Sequence, residues 1–345
     1  MLPSSYAFYT MHSRMLNLLT SIYHRLGEVH ARHLEQPAQG LERAYRVSTV
    51  HATLALEGSP LEPLPIAELV SRPNSTAGPS ALEAVNTQRA HELLPDLDPF
   101  MALDLRQAHG VLMHGLAMDA GQYRTGSMEV IYGERPAADK SGAFGLRTAP
   151  AENMAALVEE LLNFVENDDA PPIITSCLLH FGLVYLRPFT AGNGRMARLW
   201  QRRVLMRHWP VFAFLPVEAF IQKTQPTYYA ALEYADRQGD CGSFVTYLME
   251  RMDEALAELL AMPDPVRKAA DRIDLFLLQA ADGSFRRKDY MSKFPKLSTA
   301  SASRDLREAV AAGLLVREGE GRTALYLRKT SLRLDSPFQR DSDRD

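Results

Sequence analysis

The chain of 345 residues has two cysteines, Cys177 and Cys241, and two tryptophans. The cysteines lie far apart and outside any metal-ligand spacing, which excludes a thiolate zinc site and a disulfide framework; reduced thiols are expected. An excess of charge of one sign is also lacking. Lys and Arg number 38 against 42 Asp and Glu, a net charge of −4, which argues against wholesale coating of nucleic acid or membrane but permits a local basic patch. No stretch approaches the roughly 20 apolar residues of a membrane span, and the opening "MLPSSYAFYTMHSRML" has no basic segment followed by an apolar one. A cytoplasmic protein without a membrane partner is the expectation.

What is there instead is helical patterning. Up to about residue 260, apolar residues recur at three- and four-residue spacing, as in "MALDLRQAHGVLMHGLAM", "AENMAALVEELLNFVEN" and "ITSCLLHFGLVYL", and alternating runs are few. A mainly α fold follows. The exception is Ser127 to Pro150, where β-favouring residues flank a turn rich in Gly, Pro and Asp and predict one hairpin standing off the bundle. Two prolines in "MPDPVRKAAD" then interrupt the helical pattern. Beyond them, "RIDLFLLQAA", "RRKDYMSKF" and "STASASRDLREAVAAG" read as three short helices, the last capped by Ser298 or Thr299. Two strands follow around Glu318-Gly319-Glu320-Gly321, which makes a winged helix-turn-helix; the polar end "KTSLRLDSPFQRDSDRD" reads as loose.

Chemistry concentrates in "LRPFTAGNGRMARLW", Leu186 to Trp200. Gly192 and Gly194 let the backbone turn sharply and bring its N–H groups close to a ligand. The helix that follows opens with unpaired donors and a positive dipole end, an arrangement that favours phosphate, and Arg195 and Arg198 lie three apart on its first turn. Taken alone, Gly-x-Gly-Arg is more often a tight helix-opening turn with solvated arginines.

In context the stretch resembles the Fic family, whose motif is H-P-F-x-[DE]-G-N-G-R-x-x-R. Here it stands as "RPFTAGNGRMAR", matching at Pro188, Phe189, Gly192, Asn193, Gly194, Arg195 and Arg198. "GQYRTGSMEVI" is similar to the start of the family's target-binding flap, and "LPVEAFIQKTQPTYYAALEYADRQGD" to its segment closing over adenine. The resemblance implies a helical Fic bundle that takes ATP and transfers AMP to a hydroxyl of a target protein lying along the flap. It implies phosphate contacts from Gly192, Asn193, Gly194, Arg195 and Arg198. The motif's His, the general base, is replaced by Arg187, and the acidic residue that holds Mg²⁺ by Ala191. A guanidinium stays protonated at physiological pH and alanine has no ligand atom, so turnover is expected to be lost or severely reduced, and Mg²⁺ has no ligand from the motif. The alternative is an active AMP transferase, or one using another phosphate-containing donor, that bypasses the usual base. His180, His109 and His114 read as structural, and nothing in the spacing requires Glu129 or Glu134 to approach the phosphates.

Upstream, "RVSTVHATLALEGSP" is a helix closed by Gly58 and Pro60, with Glu57 at its unfavourable, negative end. Thr53 to Gly58 is similar to the family's inhibitory motif, [ST]-x-x-x-E-[GN], which implies that Glu57 pairs with Arg198 and blocks placement of the γ-phosphate. The expected division is an N-terminal helical segment, 1–95, with the inhibitory helix over about 46–58; a Fic domain, 96–262; the winged helix, 268–330; and a flexible tail, 331–345.

In the last domain Ser298, Thr299, Ser301, Ser303, Arg304 and Arg307 fall toward the start and exposed side of the third helix. Leu306, Val310, Leu314 and Leu315 are its expected apolar face. Ser301, Arg304, Arg307 and, in the wing, Arg322 are the DNA-contact candidates, and a two-fold DNA site would imply a homodimer. Asp289, Asp305, Glu308, Glu318 and Glu320 leave dimerisation or protein docking open as the alternative.

Overall fold

Residues 172–186 are apolar on every side, and such a helix is stable only where other helices surround it. In the computed structural model, which describes residues 9–35, 37, 39–71, 78–127, 130–132, 144–146, 148–262, 269–279, 284–294, 297–321 and 324–328, they form the middle of the larger of two compact units. That unit is Met1–Pro263, and the second is Asp264–Asp345.

The first unit runs α1 (Ser13–Ala31), α2 (Gln39–Ala55), α3 (Pro63–Ser71), α4 (Pro79–Leu93), α5 (Ala102–Leu112), β1 (Val130–Tyr132), β2 (Phe144–Leu146), α6 (Met154–Asn167), α7 (Pro172–Leu186), α8 (Asn193–His208), α9 (Val217–Lys223), α10 (Gln225–Gln238) and α11 (Gly242–Ala261). Helix α7 packs most closely on α8, and α6 and α11 cover its other sides. Helix α1 buries Met15, Leu19, Ile22, Leu26 and Val29, one stripe at three- and four-residue spacing, against α11. The N-terminal helices and the motif-bearing helices therefore share one unit. Helix α2 starts at Gln39, earlier than the expected 46, and reaches the core through Tyr45, stacked on Phe214 at 6.3 Å. The hairpin is present as antiparallel β1 and β2, with Ile131 opposite Gly145; Glu129 and Glu134 lie outside the described residues.

His180 is fully buried in α7. It is held between Gln201 Oε1 at 2.7 Å and the Tyr228 hydroxyl at 2.9 Å, and burial lowers its pKa to about 3. It is a neutral core histidine. Both cysteines are buried and neither forms a disulfide among the described residues. No helix among the described residues is long and apolar enough to cross a membrane.

The second unit contains α12 (Ala269–Gln279), β3 (Ser284–Arg286), α13 (Arg287–Lys293), α14 (Thr299–Ala311), β4 (Leu315–Glu318) and β5 (Leu325–Arg328). Its sheet is antiparallel in the order β3-β5-β4. Strand β3 has no counterpart in the sequence reading, because three residues are too few to show alternation. Ser298 caps α14, its hydroxyl accepting the Ser301 N–H at 3.1 Å. Leu306 and Leu315 are core residues, whereas Leu314, expected on the apolar face, is 42% exposed just after the turn at Gly313. Asp305 is buried too, gripped by Arg272 through Nε at 2.7 Å and Nη2 at 2.8 Å, and by the Tyr290 hydroxyl at 2.8 Å. Removing one partner of a buried charged cluster leaves the others unpaired. Asp305→Ala is expected to destabilise the second unit by about 3 kcal/mol, read as a lowered denaturant midpoint or faster hydrogen exchange confined to residues 269–328.

Candidate active site

The turn between α7 and α8 carries the motif, and its shape rests on two left-handed residues. Arg187 ends α7 at φ 43° and Gly192 opens α8 at φ 73°. A side chain is strained in this region, so Arg187 must be held there by its neighbours. Arg124 does so. Its Nε donates to the Arg187 carbonyl at 2.6 Å, and its Nη2 donates to those of Leu186 at 3.0 Å and Ala149 at 2.5 Å. Its own backbone N–H reaches the Pro188 carbonyl at 2.9 Å. One buried guanidinium thereby satisfies the carbonyls that α7 leaves unpaired at its C-terminus.

The far side of the turn is braced by His109 and Asn193. His109 Nδ1 accepts the Gly121 N–H at 2.9 Å, which leaves Nε2 to donate to the Ala191 carbonyl at 3.0 Å. Its ring lies flat on Phe189 at 3.6 Å, and burial, only partly offset by the bond to Ala191, lowers its pKa to about 4. Asn193 turns its amide back on the loop, accepting from Phe189 N at 3.0 Å and donating to Phe189 O at 2.7 Å. Its side chain therefore shapes the loop, where the resemblance had placed it among the phosphate contacts.

Around the start of α8 the remaining motif residues converge. A Cβ on Gly192 would lie 2.8 Å from Met113 Sδ, and one on Gly194 would overlap the Glu57 carboxylate. Glu57 stands beyond the end of α2 and meets Arg198 Nη2 at 2.7 Å, while Arg198 Nε and Nη2 also bind the Thr53 hydroxyl at 2.8 Å and carbonyl at 3.1 Å. Burial alone would lower the Arg198 pKa, but Glu57 together with Tyr228 and Tyr229 outweighs it and the net shift is upward. The Tyr229 hydroxyl of α10 fixes the same chain end by donating to the Leu56 carbonyl at 2.8 Å. Arg195 is also buried, with Nη2 3.3 Å from Glu83 of α4 and 3.4 Å from Met113 Sδ. Its Nε and Nη1 are buried with no hydrogen-bond partner among the described residues.

Arg187 lies in the field of the same carboxylate. Burial lowers its pKa to about 10, with Glu57, Tyr228 and Tyr229 opposing the shift, so it remains a cation at neutral pH and takes no proton. Mg²⁺, which the resemblance implies, does not fit. Ala191 has no side-chain ligand atom and its carbonyl accepts from His109. The nearby Asp119 accepts from the Thr190 hydroxyl at 2.9 Å, and among the described residues no three His, Cys, Asp or Glu side chains gather as a metal site.

The structure thus brings Arg187, Ala191, Gly192, Asn193, Gly194, Arg195, Arg198 and Glu57 together. Ser301, Arg304 and Arg307 lie on α14 of the other unit, and Arg322 lies outside the described residues. Sequence reasoning missed Arg124, Glu83, Met113 and Tyr229, none of which stands in a pattern that marks it. The His109 pKa has a measurable consequence. Below its unfolded value near 6.5 the unfolded chain takes up a proton that the folded chain refuses until about 4, so stability falls with acidification across that window. His109→Gln is expected to flatten the acid limb of stability against pH by up to about 3 kcal/mol between pH 6.5 and 4.

Comparison with known proteins agrees with this arrangement. The Fic/DOC family profile matches residues 99–205. Protein adenylyltransferase fic-1 of Caenorhabditis briggsae is 35% identical over 106 residues, 29% of this chain and 20% of that protein. Protein adenylyltransferase Fic of Nematostella vectensis is 31% identical over 151 residues, 44% of this chain and 32% of that protein. The chain thus spans only about a fifth to a third of the length of these curated relatives. A Fic family protein from Desulfovibrio desulfuricans superposes with a TM-score of 0.68 at 26% identity, over 94% of this chain and 98% of that one. Residues 99–205 thus match the Fic/DOC family, and the α7–α8 turn with its arginines lies inside that match.

Proposed function

We propose that this chain binds a nucleotide at the α7–α8 turn, has lost or nearly lost AMP transfer, and acts as a regulator. One observation carries the reading: the position that should hold the proton-accepting histidine is occupied by Arg187, still protonated at neutral pH, on a loop whose shape is intact. Loss of a general base costs about 10² to 10⁴ in rate, and loss of the metal ligand at position 191 adds to it. The cradle itself persists in Gly192, Gly194, Arg195 and Arg198 ahead of a sixteen-residue helix, which favours phosphate at its N-terminus. ATP is the nucleotide that the adenylyltransferase relatives suggest, with a hydroxyl of a target protein as the ancestral acceptor. Glu57, paired with Arg198 and pressed against Gly194, stands where it obstructs an incoming phosphate.

Incubation with labelled ATP and Mg²⁺ tests the reading. Label is expected on protein only after Arg187→His/Ala191→Asp, most strongly when Glu57→Gly is added; robust labelling of the native chain supports the active alternative and sinks this one.

A second reading concerns DNA. Arg304 and Arg307 are exposed on α14, and the burial of Asp305 by Arg272 removes an acid from that helix's outer side. Arg287 of α13 reaches the Ser303 hydroxyl at 2.8 Å and adds a cation beside it. We infer a winged helix that contacts DNA phosphates through this face, as a homodimer on a two-fold site. Binding should weaken steeply with salt, and Arg304→Ala/Arg307→Ala should lower affinity and flatten the salt slope by about two. Unchanged retention of DNA by that double variant would place the contact elsewhere, and no retention above non-specific binding by the native chain would point to protein docking.

A further inference from the structure

The replacement of the motif's histidine and acid leaves a positive field where the family's chemistry would place a metal ion. Three guanidiniums, those of Arg187, Arg195 and Arg198, share the field of one carboxylate, Glu57; Arg195 has a second, Glu83. Arg195, 94% buried, keeps two donors without a partner among the described residues. The N-terminus of α8 adds its own positive end at Gly192. A divalent cation would meet this array of like charge with no ligand at position 191, whereas a phosphate chain would meet donors on several sides.

We propose that the site takes a nucleoside polyphosphate in its metal-free form, with the Arg187 guanidinium supplying the positive charge that Mg²⁺ would otherwise bring. The inference rests on the nucleotide reading above and deepens it. Two observations support it beyond the charge balance. Arg187 begins the phosphate-holding turn in a left-handed conformation that Arg124 fixes through main-chain carbonyls, so the backbone from which its side chain departs is held, and the guanidinium lies in the field of Glu57. Glu57 already occupies the space above Gly194 as an anion among these arginines, an arrangement that a phosphate group would reproduce on displacing it. Mg²⁺ neutralises two charges of a triphosphate, so the free form is the better partner for three guanidiniums. Excess Mg²⁺ therefore competes with the protein for the nucleotide.

Calorimetric titration of the full chain with ATP, once in EDTA and once in excess Mg²⁺, tests this. The arms are native, Glu57→Gly, and Glu57→Gly combined with Arg187→Gln or Arg187→Lys, each checked for native-like melting. Glu57→Gly is expected to bind ATP in EDTA and more weakly in excess Mg²⁺. Adding Arg187→Gln should lower the EDTA affinity about tenfold or more, the effect of losing a charge-assisted hydrogen bond, and Arg187→Lys should regain much of that loss. Binding that requires Mg²⁺, an Arg187→Gln affinity equal to that of its parent, or failure of the lysine to regain any of it overturns the inference and leaves the nucleotide site standing. Absence of ATP binding by folded Glu57→Gly in both buffers overturns the nucleotide reading as well.

Discussion

Arg198 is the group around which the site is organised. It is 3% exposed, and a guanidinium taken that far out of water must have its donors and its charge answered inside the protein. Thr53 answers the donors and Glu57 the charge, both from the end of α2. The two helices are therefore locked in register, and Tyr229 adds a third element by holding the Leu56 carbonyl. Glu57 is still 36% exposed, so the pair is strong as a positional constraint and more modest as a source of stability. The residue that satisfies Arg198 is also the one standing against Gly194 at the start of α8.

The turn keeps its form through main-chain carbonyls. Position 187 supports the loop through its carbonyl, bound by Arg124, and position 191 through its carbonyl, bound by His109. Asn193 closes the middle through Phe189. The path of the turn is thus specified by main-chain hydrogen bonds at positions 187 and 191.

In the second unit, one buried cluster changes the meaning of a surface. Asp305 reads in sequence as one of several acids opposing the basic residues of α14. Folded, it faces inward to Arg272 and Tyr290, where it joins α14 to α12 and α13, and Arg304 and Arg307 remain outside. An i, i+1 step along a helix rotates a side chain by about 100°, which is enough to separate a core anion from a surface cation.

The helical class, the hairpin, the break near Met262 and the pairing of Glu57 with Arg198 were legible from periodicity, turn residues and motif resemblance, because these signals are local or carried by short spaced patterns. The same holds for the capped start of α14 and for the structural character of His180. Arg124, Glu83, Met113 and Tyr229 were not legible, since each acts across a long sequence separation on a carbonyl, a guanidinium or a backbone, and an isolated residue leaves no period. The inward turn of the Asn193 amide, the exposure of Leu314 and the burial of Asp305 were decided in the same way, by which neighbours the packed chain brought close. The sequence by itself determined which chemistry is missing, because a side chain without a base or a ligand atom lacks it in any fold. Only the tertiary structure decided what stands in its place: three arginines gathered about one carboxylate, since electrostatic fields add over distances in space that chain order does not encode.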